Sequence, residues 1–207
     1  MFLSFRSRRV LKCDGPGHQP EGYRGHILAA IRVVGMVSLM RTGIALGSNV
    51  GDRLAHLRKG FQRISTLHTG DESPLVSSIF ETSPIDCAPG TNAYLNAAVE
   101  IQFDRPPIDL LDALLGIERD MGRPSKRRRN APRTIDLDIL YVGNLILNNA
   151  EVIIPHPRLS QRRFVLAPLA EIASELIVPG QTRTIRALLG SLSDAERVVR
   201  IDSKLED

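Results

Sequence analysis

The sequence predicts an α+β protein in which a mainly antiparallel sheet is covered by helices. Some stretches alternate apolar and polar side chains with period two, as half-buried strands do, and others repeat apolar side chains at helical spacing. These stretches follow one another in the order β-α-β-β-α-β-β and then α. A ferredoxin-like core, built as a three-layer α/β/α sandwich, fits this order best.

The first strand is the apolar run at residues 42–46. Gly47 ends it, and we interpret this glycine as part of a tight turn, because neither a P-loop nor a dinucleotide-binding fingerprint occurs here. Asp52 can cap the helix that follows, whose apolar side chains keep helical spacing. Residues 74–81 then predict a second strand.

The clearest alternation runs through residues 94–103, which predict a strand. Tyr94 and Asn96 share one face at its start, where an aromatic ring and an amide can bind a flat heterocycle. A tyrosine at a strand end is equally often a residue at the edge of the core. A proline pair opens the next helix, and Gly122 ends it.

A strand with two acidic side chains is predicted over residues 134–141. Its period-two alternation places Asp136 and Asp138 on one face, where two carboxylates suit Mg²⁺, whose shell substrate phosphates complete. Arg129 and Arg133 stand just upstream and could hold phosphate oxygens. The stretch therefore indicates a metal–nucleotide site, and the alternative is the solvated face of an ordinary sheet.

The remaining elements are shorter. Residues 143–147 predict a hairpin with the preceding strand, and His156 lies between two prolines in an extended segment. Residues 159–173 predict a helix interrupted near Pro168, and residues 184–189 predict a short helix. The charged tail after these residues carries no clear pattern.

Composition excludes several classes of protein. No apolar run of the 207 residues reaches the length of a membrane span, and two cysteines are too few for a disulfide framework, so a reducing, cytoplasmic compartment is predicted. Residues 1–40 carry the whole net charge of +4, which leaves the rest neutral and disfavours a general nucleic-acid-binding surface. We interpret residues 1–40 as a disordered extension or sequence upstream of the true start, and residues 41–207 as the domain.

Five sequence blocks carry a resemblance to a known family. They are Ala-Leu-Gly-Ser-Asn at 45–49, Glu-Thr-Ser-Pro at 81–84, Tyr-Leu-Asn-Ala-Ala-Val at 94–99, Ala-Pro-Arg-Thr-Ile-Asp-Leu-Asp-Ile-Leu at 131–140 and Ile-Pro-His-Pro-Arg at 154–158. In this order they resemble the 6-hydroxymethyl-7,8-dihydropterin pyrophosphokinases of folate biosynthesis. The resemblance spans about residues 42–190.

The resemblance implies that pyrophosphate is transferred from ATP to 6-hydroxymethyl-7,8-dihydropterin and that AMP is released. It also implies a monomer that binds neither nucleic acid nor membrane. The roles implied by position are two Mg²⁺ ions on Asp136 and Asp138, catalytic arginines at Arg123 and Arg133, ATP contacts from Glu118, Arg129, His156 and Arg162, and a pterin pocket of Thr82, Ile85, Tyr94, Asn96 and Phe164.

The chain departs from the family pattern at Ser83, where proline is frequent, at Pro157, where an aromatic residue can occur, and at residues 130–131. Members of the family often carry Trp-Gly where this chain has Asn130 and Ala131, so the loop that closes over the pterin is expected to seal less well. An RNA-binding module is the alternative from another class, because ferredoxin-like sheets also bind RNA. A Mg²⁺-dependent nucleotide hydrolase is the nearer alternative among enzymes.

Overall fold

The computed structural model describes residues 39–83, 92–122, 132–193 and 197–206. Its strands are β1 (Met40–Ser48), β2 (Leu75–Val76), β3 (Ile79–Thr82), β4 (Tyr94–Phe103), β5 (Asp136–Val142), β6 (Leu147–Asn148), β7 (Ile153–Ile154) and β8 (Val198–Ile201). Its α-helices are α1 (Arg53–Ser65), α2 (Pro107–Asp120), α3 (Arg163–Ala173) and α4 (Ile185–Gly190).

The main sheet has the strand order β5-β1-β4-β3-β8, and β2 pairs with β4 beside this path. Each of these pairings is antiparallel. Strands β1 and β4 are central, with helices α1 and α2 as crossovers between successive parts of the sheet. The predicted α+β, ferredoxin-like fold is confirmed.

Helices cover both faces of this sheet. On one face, α1 and α2 pack against alternate side chains of β1, β4 and β5, among them Leu46, Val99 and Leu137. On the other face, α3 and α4 pack against a second cluster that contains Ala45 and Ala98. The two clusters make the predicted three layers, and the second face carries the polar side chains described below.

Two predicted strands are organised differently from the prediction. Residues 74–81 form two strands, β2 and β3, with Ser77 between them. The backbone N–H of Ser77 donates to the Ala98 carbonyl at 3.0 Å, and the Ser77 hydroxyl accepts from the Ala98 N–H at 2.9 Å. The predicted hairpin at 143–147 is wrong, because β6 pairs with β7. Strand β5 is contacted by a later residue, His156, whose backbone N–H donates to the Leu140 carbonyl at 2.8 Å.

The C-terminal third also differs from the prediction. Pro168 lies inside an unbroken α3, and the interruption falls at Arg162, whose extended backbone separates a short 3-10 helix (Leu159–Gln161) from α3. Apolar packing of α3 on the sheet compensates for the backbone hydrogen bond that the proline lacks. Strand β8 was not predicted, since four residues in a charged tail give no period, and only pairing with β3 makes them a strand.

Gly47 belongs to β1 and not to the predicted turn. The strand continues to Ser48, so this glycine is paired on both sides. Residues 1–38 lie outside the described residues, and the predicted extension and domain boundary remain predictions. In the part of the chain that the structure describes, no helix is long and apolar enough to cross a membrane.

Candidate active site

The two acidic side chains of β5 lie on one face of the sheet, as their spacing predicts. Leu137 and Ile139 between and after them pack into the α1/α2 side of the core, so Asp136 and Asp138 point to the opposite face. Asp136 is buried and Asp138 is half-buried. Among the described residues, no cluster of three or more His, Cys, Asp and Glu side chains could cage a metal. Two carboxylates nevertheless fit Mg²⁺, because this ion usually takes one or two carboxylates and completes its shell with water and phosphate.

Arg133 forms a buried ion pair with Asp136. Asn49, just after β1, holds the backbone of this arginine from both sides: its Oδ1 accepts from the Arg133 N–H at 2.6 Å, and its own N–H donates to the Arg133 carbonyl at 3.1 Å. Asn49 is itself buried. Sequence reasoning assigned Asn49 no role, although it stands in the Ala-Leu-Gly-Ser-Asn block.

Glu118 is buried at the end of α2, and its Oε1 accepts from the backbone N–H of Leu137 at 3.0 Å. This hydrogen bond fixes the β5 backbone midway between Asp136 and Asp138. The structure thus places Glu118 next to the site, where it contacts the backbone of β5. Its predicted contact with ATP remains a prediction.

His156 is buried and neutral. Its Nδ1 accepts from the backbone N–H of Arg158 at 3.1 Å, so the proton of the neutral ring is on Nε2. Burial, followed by the positive charges of Arg162 and Arg158, lowers the pKa of His156 to about 4. Within the described ranges, Nε2 has no hydrogen-bond partner. It is therefore a buried donor suited to an anion.

Arg162 is buried beside the same histidine. Burial and the charge of Arg158 lower the pKa of Arg162 to about 10, against the opposing effect of Asp138 and Asp136. Its guanidinium lies 5.5 Å from the centre of the Phe164 ring. Two neighbouring arginines thus lie within electrostatic range of two carboxylates, and such a mixture of charges suits a polyanion that carries divalent cations. Arg158 was not predicted, although it ends the Ile-Pro-His-Pro-Arg block.

The predicted pterin residues that the structure describes gather on this face. Asn96 donates through Nδ2 to the Thr82 hydroxyl at 2.8 Å, and both side chains are buried. Asn96 Oδ1 has no partner among the residues described. Tyr94 and Phe164 are buried in the cluster on the same face. Three predicted site residues, Arg123, Arg129 and Ile85, lie outside the described residues.

Three residues that lie opposite one another on β5, β1 and β4 connect the part of the site around Asp136 with the part around Asn96. In the β-sheet register, Gly47 of β1 lies opposite Asp136 of β5 on one side and opposite Asn96 of β4 on the other. Neighbouring strands are about 4.8 Å apart, so the backbones of Asp136 and Asn96 are separated by roughly 10 Å. A glycine thus lies between the strand positions of the Asp136 carboxylate and the Asn96 amide.

A model of the family described as 7,8-dihydro-6-hydroxymethylpterin-pyrophosphokinase (HPPK) matches residues 43–174. The chain belongs to the HPPK family. It is therefore a pyrophosphokinase of folate biosynthesis, as the resemblance predicts. Family membership sets aside the RNA-binding module and the simple nucleotide hydrolase.

Curated relatives named 2-amino-4-hydroxy-6-hydroxymethyldihydropteridine pyrophosphokinase match most of their own length. The Bacillus subtilis protein is 43% identical over 135 residues, which are 64% of this chain and 78% of that protein. The Haemophilus influenzae protein is 36% identical over 75% of this chain and 94% of its own. The Methylorubrum extorquens protein is 35% identical over 77% of this chain and 99% of its own.

Solved structures of HPPK-DHPS chains share the fold of this HPPK. A crystal structure of Plasmodium falciparum HPPK-DHPS aligns with a TM-score of 0.58 at 15% identity and covers 74% of this chain and 43% of that chain. An HPPK-DHPS complex with substrates aligns with a TM-score of 0.54 at 15% identity, again over 74% of this chain and 43% of that one. At this identity the comparison concerns the fold alone.

Proposed function

We propose that the polar face of the sheet binds ATP with two Mg²⁺ ions at one end and 6-hydroxymethyl-7,8-dihydropterin at the other. The observation that supports this most directly is the arrangement of opposite charges around Asp136 and Asp138. Arg133 pairs with Asp136, and Arg162 and His156 lie within electrostatic range of that carboxylate. Such a site matches a triphosphate with its metal ions, which carries both signs of charge.

At the triphosphate end, Arg133 and Arg162 neutralise the charge of phosphate oxygens, and the Nε2–H of His156 donates a hydrogen bond to one of these oxygens. A bound triphosphate supplies the partner that this buried N–H lacks within the described residues. Arg123 is the second catalytic arginine of the proposal, and Arg129 and Glu118 complete the ATP contacts. Those three assignments rest on the resemblance in sequence.

Asp136 and Asp138 would hold the two Mg²⁺ ions, which supply charge neutralisation to the triphosphate when bound. The donor set fits them, since two carboxylates share one face and phosphate oxygens would complete the coordination. Arg133 now neutralises the buried Asp136 carboxylate. Were Asp136 to hold Mg²⁺, the ion would compensate this carboxylate in place of Arg133, and the guanidinium would be available to phosphate.

At the pterin end, Asn96 reads the edge of the heterocycle. Its Nδ2 is held by Thr82, so its Oδ1 is oriented to accept a hydrogen bond from a ring N–H or amino group. Tyr94 and Phe164 contribute aromatic faces from the same cluster. Ile85 is proposed to close the pocket, again on the sequence resemblance.

In the reaction, the hydroxymethyl oxygen of the pterin forms a bond to the β-phosphorus of ATP, and the bond from that phosphorus to the oxygen bridging it to the α-phosphorus breaks. AMP leaves with the bridging oxygen, and the hydroxyl proton is lost. Catalysis then consists of positioning two substrates and stabilising charge, which requires no covalent intermediate on the protein. The side chains assembled here are of the types that such catalysis needs.

Chromatography of nucleotide products tests this proposal. The protein is incubated with ATP and Mg²⁺, with and without the pterin, and we expect AMP in step with the pterin diphosphate only when the pterin is present. AMP or ADP formed without pterin would contradict the proposed acceptor. The proposed monomer is tested separately by analytical ultracentrifugation, and the cytoplasmic location stays a prediction.

A further inference from the structure

Gly47 is a buried glycine whose backbone conformation does not require a glycine. It lies in the strand β1, so its backbone is extended, and it is absent from the glycines with positive φ in the described chain, which are Gly51, Gly122, Gly143 and Gly180. Any residue can adopt an extended backbone, and a glycine weakens a strand. The effect of a side chain at this position therefore depends on which groups lie on the same face of the sheet.

The neighbours of Gly47 show which space that is. Partners in an antiparallel ladder share a face, so a side chain at position 47 would stand between Asp136 and Asn96. Both point away from the α1/α2 side of the core, where Leu46 is packed. The next residue of β1 on this face is Ala45, which lies opposite Asp138 and Ala98. Strand β1 thus presents only glycine and alanine between the two halves of the site.

We propose that Gly47 is a specificity-determining position that lets the two substrates of the reaction meet. This inference rests on the proposed function. The triphosphate is held from the side of Asp136 and the pterin from the side of Asn96, and the two strands are roughly 10 Å apart. The reacting oxygen and phosphorus must come within about 3–3.5 Å of one another, so they meet above the strand between, where a Cβ at position 47 would occupy part of the space.

This role predicts a defect in joint binding and not in the binding of either substrate alone. With Gly47→Ala and Gly47→Val, we measure the affinity for Mg²⁺ and α,β-methylene-ATP alone, for the pterin alone, and for each in the presence of the other. Each single affinity should stay within about threefold of wild type, whereas the affinity for the second ligand should fall at least tenfold. Turnover should fall about a hundredfold, which is typical of a displacement of about 1 Å in a reacting pair.

Gly116→Ala is the matched control, because among the described residues the Arg119 side chain is all that a Cβ there would approach, at 3.7 Å. It should leave both affinities and turnover unchanged. Equal loss of the two single affinities in Gly47→Ala, or loss of folding seen by circular dichroism, would overturn the inference in favour of a packing role. Unchanged turnover in Gly47→Val would overturn it too. A wild-type protein that makes no AMP with pterin would instead contradict the proposed function.

Discussion

Two rows of residues cross the same three strands on the same face of the sheet, and each has a glycine of β1 at its centre. In the first, Gly43 lies opposite Tyr141 of β5 and Glu100 of β4. In the second, Gly47 lies opposite Asp136 and Asn96. The two rows have the same arrangement of strands but differ in the side chains that flank the glycine.

The Gly43 row is filled and paired from within the protein. The Tyr141 ring occupies the space above the glycine, and a Cβ at position 43 would overlap this ring. The tyrosine hydroxyl donates to the Glu100 carboxylate, which also accepts from Arg41 at 2.7 Å. Burial and this carboxylate raise the pKa of Tyr141 well above its usual value.

The Gly47 row and the residues beside it contain buried polar atoms without a hydrogen-bond partner among the described residues. Asn96 Oδ1 and His156 Nε2 are buried, and neither has a hydrogen-bond partner in the part of the chain described. Leaving such atoms unmatched costs stability, about 1–3 kcal/mol each. The comparison therefore separates a row whose polar groups are paired within the protein from a row whose buried polar atoms are available to the proposed substrates.

The largest effect is expected when the acidic strand loses a charge. Asp136→Asn should lower kcat at least about a hundredfold, because the amide binds Mg²⁺ less well than the carboxylate and the phosphate charge is then less well neutralised. The amide oxygen can still accept a hydrogen bond from Arg133, so the fold should be retained. Glu100→Gln makes the same chemical change in the Gly43 row and should keep its turnover. Steady-state kinetics at saturating Mg²⁺ check this, and near-normal turnover of Asp136→Asn would contradict the metal assignment.

Folding must be followed in parallel at this position. Asp136→Ala would leave Arg133 buried beside no carboxylate from position 136, and breaking a buried pair costs about 3–5 kcal/mol. We therefore expect Asp136→Ala to be much less stable in urea than Asp136→Asn. Equal stabilities of the two variants would show that the ion pair contributes little.

The next effect concerns Asn49, which holds the Arg133 backbone on the Gly47 side of the sheet. Asn49→Ala removes the acceptor at 2.6 Å and leaves the buried Arg133 N–H unmatched, at a cost of about 1–3 kcal/mol. Because Arg133 then loses its fixed position, kcat should fall about tenfold or more with little change in the KM for the pterin. Asn49→Asp keeps an acceptor oxygen and should restore most of the stability. Loss of stability without loss of kcat would confine Asn49 to folding.

A smaller effect, on stability alone, is expected in the Gly43 row. Gly43→Ala forces the Tyr141 ring to move and should lower the free energy of unfolding by about 1–3 kcal/mol, as overpacking does. Turnover per folded molecule should stay at the wild-type value. Comparison with Gly47→Ala by urea unfolding and kinetics tests the contrast between the rows, and a specific loss of kcat in Gly43→Ala would break it.

The last effect is a pH dependence of stability that arises from His156. Its pKa of about 4 in the folded protein lies below the usual 6.5, so on acidification the unfolded chain takes up this proton first. Its contribution to stability is therefore complete above pH 6.5 and is lost as the pH falls toward 4, with a slope of at most about 1.4 kcal/mol per pH unit. His156→Gln should reduce this slope in urea unfolding. Bound Mg²⁺-ATP should reduce it too, because phosphate charge raises the pKa of His156, and an unchanged slope in both cases would contradict the assignment.

Several site residues could be predicted because their relationship is local. Asp136 and Asp138 share a face since side chains alternate along any strand, and Tyr94 and Asn96 do so for the same reason. The sequence blocks, in their order, identified the family. Local patterns failed at β8, where pairing with the distant strand β3 decides the conformation, and at the 143–147 hairpin, where β6 pairs with the following strand β7 and not with β5.

The sequence alone therefore determined the α+β class, the family, and the face on which the acidic pair of β5 lies. Only the tertiary structure decided that Asn49 grips Arg133, that Glu118 bonds the backbone of Leu137, and that one glycine separates Asp136 from Asn96. The physical reason is that these contacts depend on strand register. Register is set by packing of both faces of the sheet between residues far apart in the chain, and no local period records it.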